Sequence, residues 1–188
     1  VIIRNLLAVE ALGSCTYIAS DKTGTLTVNE MTIGQIWLCE GQSFQVSGEG
    51  LDLHGEITSL DDSVINKESP LSLLIHAGVL ANESYLEKTA QGWRGQGDMV
   101  DVAFLVLASK HNVAYKDVRR RYSELAEIPY ESENAYCASF NQYQGKTYIF
   151  VKGSVEKLLS MCTENALEPV IEQQADQLAS KGYRVLGL

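Results

Sequence analysis

The run Asp21-Lys22-Thr23-Gly24-Thr25-Leu26-Thr27 holds most of what phosphoryl transfer to a carboxylate requires. That chemistry needs an ionised Asp on a tight loop, donors that neutralise phosphate oxygens, and oxygen ligands for a nearby magnesium ion. Asp21 fits the nucleophile, Lys22 the nearby cation, and the main-chain carbonyl of Thr23 a magnesium ligand, so Asp21 and Thr23 form the candidate metal site. Gly24 lets backbone N–H groups approach a phosphate, and Thr25 and Thr27 add hydroxyl donors. The plainer reading is a polar turn between two strands, because Asp, Gly and Thr are common in turns. The length of the run favours the chemical reading.

Four further segments carry charged or aromatic residues at the edges of expected elements. Gly97-Asp98-Met99-Val100-Asp101 puts two carboxylates at the start of a helical pattern, where acidic residues also suit the positive end of the helix dipole. Tyr130, within Glu127-Ile128-Pro129-Tyr130-Glu131-Ser132, offers a ring for stacking or for core packing. Val151-Lys152-Gly153-Ser154 sits where a strand hands over to a helix, a place where free N–H groups point outward. Arg184, in Gly182-Tyr183-Arg184-Val185-Leu186, reads by itself as a surface cation on an edge strand.

The Asp21–Thr27 run matches the phosphorylation sequence of the P-type cation-transporting ATPases, and the chain resembles a type II-like member of that family throughout. Residues 1 to 14 are similar to the segment that links the fourth membrane helix to the phosphorylation domain. Residues beyond 34 resemble the inserted nucleotide-binding domain. The resemblance implies that Asp101 faces the adenine amino group with Asp98 beside it, that Tyr130 stacks on the base, that Lys152 and Gly153 approach the nucleotide, and that Arg184 faces its phosphates. It further implies ATP and Mg2+ as ligands. The partners would be the phosphorylation, actuator and membrane domains of the same pump, and the location a cytosolic domain of a membrane protein. Where the family usually has a Lys five residues after the stacking aromatic, this chain has Ala135; Arg94 is a candidate substitute.

Phosphatases on the same haloacid-dehalogenase scaffold carry a second Asp two residues after the nucleophile as acid and base. Thr23 stands there instead, so an aspartyl phosphate should persist, as a pump requires. A phosphatase is therefore a distant alternative. The other rivals are a non-catalytic nucleotide-binding or regulatory module, in which Asp21 is idle, and an interaction domain that has lost ATP binding.

The elements that must position these residues divide the sequence at about residue 34. Val1 to Leu12 is spaced as a short helix stopped by Gly13, and Thr16 to Ser20 reads as a strand delivering Asp21 to its C-terminal end. This is the expected fragment, residues 1–33, of a haloacid-dehalogenase-like α/β phosphorylation domain with the stalk end before it. Residues 34–188 read as α+β, an antiparallel sheet flanked by helices. Strands are expected at Met31 to Leu38, Ser43 to Ser47, Glu124 to Ile128, Tyr136 to Gln142 and Lys146 to Val151, the last two joined by a turn at Gln144-Gly145. Helices are expected after Ser69-Pro70, from Asp98, from Ser154 to Met161, and from Pro169 to Lys181 ended by Gly182. A final strand is expected to run to Leu188.

The chain has 188 residues, 45% of them hydrophobic, and a formal net charge of -9, enough apolar material for one domain plus part of a neighbour. That charge leaves no overall basic surface for nucleic acid or anionic lipid. The apolar stretch Val102 to Ala108 is far shorter than the about 20 residues that span a bilayer. Val1 follows no basic n-region or cleavage site, which reads as a piece of a longer chain and not a secreted precursor. Cys15, Cys39, Cys137 and Cys162 form no C-x-x-C pair and are expected to be reduced and buried, with no zinc site. His76 is expected in the core, and Arg119-Arg120-Arg121 on a solvent-facing helix.

Overall fold

The computed structural model describes residues 13–21, 25–28, 30–61, 65, 69–90, 92–163 and 167–188. The expected N-terminal helix, Lys22, Thr23 and Gly24 lie outside the described residues. The chain forms two compact units, Val1–Glu30 and Met31–Leu188.

In the first unit, Thr16 to Ser20 is not a strand: the segment is irregular and exposed, with Tyr17 and Ile18 each 90% accessible. A β-run needs a neighbouring ladder to satisfy its backbone groups, and among the described residues of this unit none pairs with it. Asp21 therefore sits on exposed, irregular backbone and not at a strand end.

The second unit begins with an antiparallel meander, β1 (Gln35–Trp37), β2 (Ser43–Val46) and β3 (Ile57–Ser59). Alternation places Ile36, Phe44 and Val46 in the core. β3 was not expected from the sequence. The helix α1 (Pro70–Leu80) starts where Ser69 caps it, its hydroxyl accepting the Ser72 N–H at 3.4 Å, with Pro70 at the first turn. The hairpin β4 (Tyr85–Thr89) and β5 (Gly92–Gln96) follows, then α2 (Met99–Lys110). Residues 102–108 of α2 are buried on every side, with Leu105 and Ala108 fully inaccessible, which explains why this run shows no polar stripe. α1 and α2 pack closely because Gly78 has no side chain: a Cβ there would lie 2.4 Å from Phe104 Cδ1.

After α3 (Tyr115–Arg121), the strands β6 (Ser123–Glu131), β7 (Tyr136–Tyr143) and β8 (Lys146–Gly153) form an antiparallel sheet in that order. The β7–β8 turn has Gln144 at φ 48 and Gly145 at φ 75, the paired left-handed residues that match the twist of a two-residue hairpin. α4 (Val155–Leu159) and α5 (Glu168–Ser180) close the chain. The expected terminal strand is absent. Past Gly182 (φ 87) the chain makes only one bridge, Gly187 with Gly153, its two N–H···O bonds 2.9 and 3.1 Å long. α4 and α5 occupy the intervening chain, so the segment touches β8 only at its end. Among the described residues no helix is long and apolar enough to cross a membrane.

Candidate functional site

Two of the sequence-predicted elements meet. Asp98 caps α2, its Oδ1 accepting the N–H groups of Val100 at 2.8 Å and Asp101 at 3.4 Å. This cap satisfies orphan donors of the first turn and leaves Asp101 one turn in. Across the core, β8 delivers Lys152 opposite Cys137 of β7. The Lys152 ammonium forms an ion pair with Asp101 Oδ1, donates to the Ala81 carbonyl at 2.6 Å, and lies 5.6 Å from the centre of the Phe104 ring. Lys152 and Asp101 side chains are only 7% and 16% accessible.

The loop after α1 completes this arrangement. The Glu83 N–H donates to Asp101 Oδ2 at 3.4 Å, and Asn82 Nδ2 donates to the main-chain oxygens of Asp101 at 2.7 Å and Gly78 at 2.9 Å. Arg119 holds the loop from the other side, donating to the carbonyls of Asn82 (2.6 Å), Ser84 (3.0 Å) and Val79 (3.3 Å). Arg119 thus satisfies one terminal carbonyl of α1, that of Val79, and pins the loop beyond it through Asn82 and Ser84, and does not face solvent as expected. Burial lowers its basicity from the ordinary arginine value, opposed by Tyr115, Glu124 and Asp101. Arg120 does face outward, bound to Asp117 at 2.9 Å.

Gly97, at φ 110, has no room for a side chain, since a Cβ would lie 2.2 Å from Ser84 Oγ. Gly153 is packed by its own chain: a Cβ would lie 2.5 Å from the Ala135 carbonyl and 2.8 Å from Leu158 Cδ1. The close backbone approach it permits is to Ala135, whose carbonyl accepts the Ser154 N–H at 3.0 Å. Ala135 has φ 58 at the β6–β7 connection.

Tyr130 is 54% accessible. β6 is an edge strand and all of it but Ile128 is exposed, Tyr130 included; its register against β7 shifts between Ile128 and Glu131, where Pro129 has no N–H to give to the ladder. In the same sheet Glu131 pairs with Tyr136, and Tyr136 with Gly153, so Tyr130 stands near the end of the sheet that carries Lys152. Arg184 is exposed, three residues before the Gly187 bridge to Gly153. The structure therefore brings Asp101 and Lys152 into contact, uses Asp98 as a cap and Gly153 for packing, and leaves Tyr130 and Arg184 open. Among the described residues no hydrogen bond or ion pair ties Tyr130 or Arg184 to the buried pair.

Residues 70–188 match the family of the P-type ATPase cytoplasmic domain N. The chain belongs to the P-type cation ATPases. It is 36% identical over 200 residues to the cation-transporting ATPase pma1 of Synechocystis, covering 98% of this chain and 22% of that relative. It is 34% identical over 205 residues to the human calcium-transporting ATPase type 2C member 2, covering 100% of this chain and 21% of the relative. The probable cation-transporting ATPase F of Mycobacterium tuberculosis is 33% identical over 196 residues, with 98% and 22% covered. The chain thus spans about a fifth of the length of the relatives it matches.

The remaining site expectations changed with the structure. Only Cys137 is buried, while Cys15, Cys39 and Cys162 are exposed, because apolar sequence neighbours do not by themselves place a thiol in a core. His76 is half-buried beside Tyr122, at the margin of an aromatic group and not in the core. The loop 81–84 and Arg119 were missed. Asn82, directly after an apolar helix, was the one available signal, since Asn is frequent where helices end.

Proposed function

We propose that this chain is the ATP-binding cytosolic part of a P-type pump that couples ATP hydrolysis to cation transport through an aspartyl phosphate at Asp21. The observation that carries the reading is the contact between Asp101 and Lys152, which joins the Gly97–Asp101 and Val151–Ser154 elements at one place in the fold. Tyr130 adds an exposed ring for the base, and Arg184 an exposed guanidinium for the phosphates.

In the whole pump, an Asp21 carboxylate oxygen attacks the γ-phosphorus of ATP, the bond from that phosphorus to the β–γ bridging oxygen breaks, and ADP leaves. Water later cleaves the aspartyl phosphate. With Thr23 two residues after Asp21 there is no carboxylate to activate that water early, so the phosphoenzyme lasts long enough for a change of shape. Asp21 and the Thr23 carbonyl are oxygen ligands of the kind magnesium favours. Asp21 is exposed, Thr23 lies outside the described residues, and among the described residues no cluster of three or more His, Cys, Asp or Glu could hold a metal. These two groups are thus part of a coordination shell only. The partners in this reading are ATP and the phosphorylation, actuator and membrane domains of the same pump. The domain boundary is placed at residues 33 and 34, with residues 1–33 as the haloacid-dehalogenase-like fragment.

The test is a calorimetric or NMR titration of this chain with ATP and AMP. Saturable binding at about millimolar to sub-millimolar concentration is expected, weakened about tenfold in Tyr130→Ala through the loss of stacking. Absence of binding at about 10 mM ATP would sink the reading, since a millimolar site would then be mostly filled.

A further inference from the structure

We infer that Lys110 is a positioning residue: it fastens the far end of α2 to the chain that leads in from Asp21, so that nucleotide held at the start of that helix is felt at the linker. The trigger rests on the proposed nucleotide reading, while the link itself lies at the opposite end of α2.

Lys110 is the last residue of α2 and is only 7% accessible. A lysine is almost never fully buried without partners, and this one finds them outside its own helix. Its ammonium donates to the Ser47 carbonyl at 2.6 Å and to the Gly48 carbonyl at 2.9 Å. Both carbonyls belong to the loop 47–56 between β2 and β3. Ser47 and Glu56 close that loop: the Ser47 N–H donates to the Glu56 carbonyl at 2.9 Å, and the Glu56 N–H to Ser47 Oγ at 2.8 Å. Two glycines shape the seat for the lysine. A Cβ on Gly48, at φ 79, would lie 3.2 Å from the ammonium, and one on Gly55 would lie 2.0 Å from the Ser47 carbonyl oxygen and 2.9 Å from Lys110 Cε. Burial lowers the basicity of Lys110, and the Asp52 charge opposes that fall.

The same loop grips the incoming chain. Gly50, itself buried, donates its N–H to Thr32 Oγ1 at 2.8 Å. Just beyond, the Gly34 carbonyl accepts the Val46 N–H at 2.9 Å and Gln45 Nε2 at 2.8 Å. Thr32 and Ile33 also line the same narrow space as Val106, Leu107 and Lys110 of α2. α2 is buried on every side over residues 102–108, and a close-packed interior transmits displacement instead of absorbing it. Asp101 and Lys110 stand about 13 Å apart along the axis. A nucleotide drawing on Asp101 therefore acts on a rod whose other end is fastened, through two carbonyls of one loop, to Thr32. The seat either holds the ammonium or leaves those carbonyls without their donor, which gives the link two discrete settings.

The experiment is amide hydrogen exchange of this chain, read by NMR with and without saturating ATP. In the wild-type chain ATP should slow exchange at Gly50 and Glu56 by at least about fivefold, the low end of coupling between distinct sites. Lys110→Met keeps the length and removes the donors. By reciprocity it should weaken ATP binding by the same factor. In that variant ATP should still slow exchange at Glu83, whose N–H meets Asp101, and no longer at Gly50. Slowing at Gly50 that persists in Lys110→Met overturns the inference, as does its absence in the wild-type chain with ATP bound. Faster exchange of the loop in the variant with ATP affinity unchanged would make Lys110 a fastening of the loop alone, and also overturns it. Should Lys110→Met not fold, Thr32→Val replaces it: the ATP-induced slowing at Glu56 must remain while the ATP-induced shift of the Ile33 amide signal vanishes, and a shift that stays refutes the link. Failure of the wild-type chain to bind ATP counts instead against the proposed function. The link is then read without nucleotide: Asp101→Asn must raise exchange at Gly50 in the wild-type background and leave it unchanged in Lys110→Met, and the same response in both backgrounds refutes it.

Discussion

Neutralising Lys152 with a residue of similar length, Lys152→Met, leaves the Asp101 carboxylate without its counter-charge at a site where the two side chains are 7% and 16% accessible. Breaking a buried pair from one side typically costs about 3–5 kcal/mol. Asp101 keeps the Glu83 N–H at 3.4 Å and its place at the positive end of α2, worth about 0.5 kcal/mol, so the lower end, about 3 kcal/mol, is expected. Asp101→Asn strands the ammonium in the same way. It keeps only the Ala81 carbonyl and the Phe104 ring, and a similar cost of about 3 kcal/mol follows. The double variant has no buried charge left to desolvate, so it should lose no more than either single variant, at most about 3 kcal/mol instead of the sum of about 6, an interaction energy of about 3 kcal/mol. Urea unfolding of the four proteins at pH 7, with m-values held constant across the set, measures the cycle. Additive losses of less than about 1 kcal/mol each would place the pair in the class of weak surface ion pairs and refute the argument that Lys152 is committed to the interior.

Other expectations follow from packing and protonation. Gly97→Ala forces a side chain into φ 110 with its Cβ 2.2 Å from Ser84 Oγ; a loss of about 3 kcal/mol is expected from strain and overpacking together, read as a lower urea midpoint. A native thiol titration with an aromatic disulfide should modify Cys15, Cys39 and Cys162 quickly, and Cys137 only on unfolding, because burial raises its pKa despite the nearby Lys152 ammonium; four fast thiols would contradict the packing of β7. Burial holds His76 below the ordinary histidine value of 6.5, with Arg121 and His111 adding to it, and burial lowers His111 likewise. The unfolded chain then binds more protons between those folded values and 6.5, so the stability present above 6.5 is lost as pH falls through the folded values. Unfolding midpoints at pH 7.0, 6.0 and 5.5 should decline, with a shallower decline in His76→Gln, and an unchanged slope in that variant would exclude His76 as a source.

What was legible in the sequence was local. Ser69-Pro70 and Asp98 announce helix starts through short-range caps, and Gln144-Gly145 announces a hairpin through backbone conformation. Each signal is complete within a few residues, and each element formed where expected. What was not legible depended on partners. Thr16 to Ser20 has β-type composition, but strand formation is a property of pairs. Tyr85–Thr89 and Gly92–Gln96 were overlooked because only Leu86 among them is fully buried, so the hairpin lacks an apolar alternation. Nor does the Arg119-Arg120-Arg121 run say which arginine turns inward. That choice is made by Val118, whose burial rotates α3 so that its neighbour Arg119 meets the end of α1.

The site divides along the same line. Asp101 and Lys152 both enter as nucleotide residues through the family resemblance, yet their 51-residue separation hides the fact that each is the other's partner. A sequence motif identifies a lysine without telling whether its charge faces a ligand or a carboxylate of its own chain, since both roles need the same residue. The number of donors decides between them. An ammonium with a carbonyl, a carboxylate and a ring already around it has little left to offer a phosphate, whereas Arg184 is exposed. In the proposed reading, attraction of the phosphates rests on the exposed cation and not on the buried pair. Raising the salt concentration in a calorimetric titration with ATP should therefore weaken the affinity, because an exposed charge is screened, and a salt-independent affinity would count against a role for Arg184.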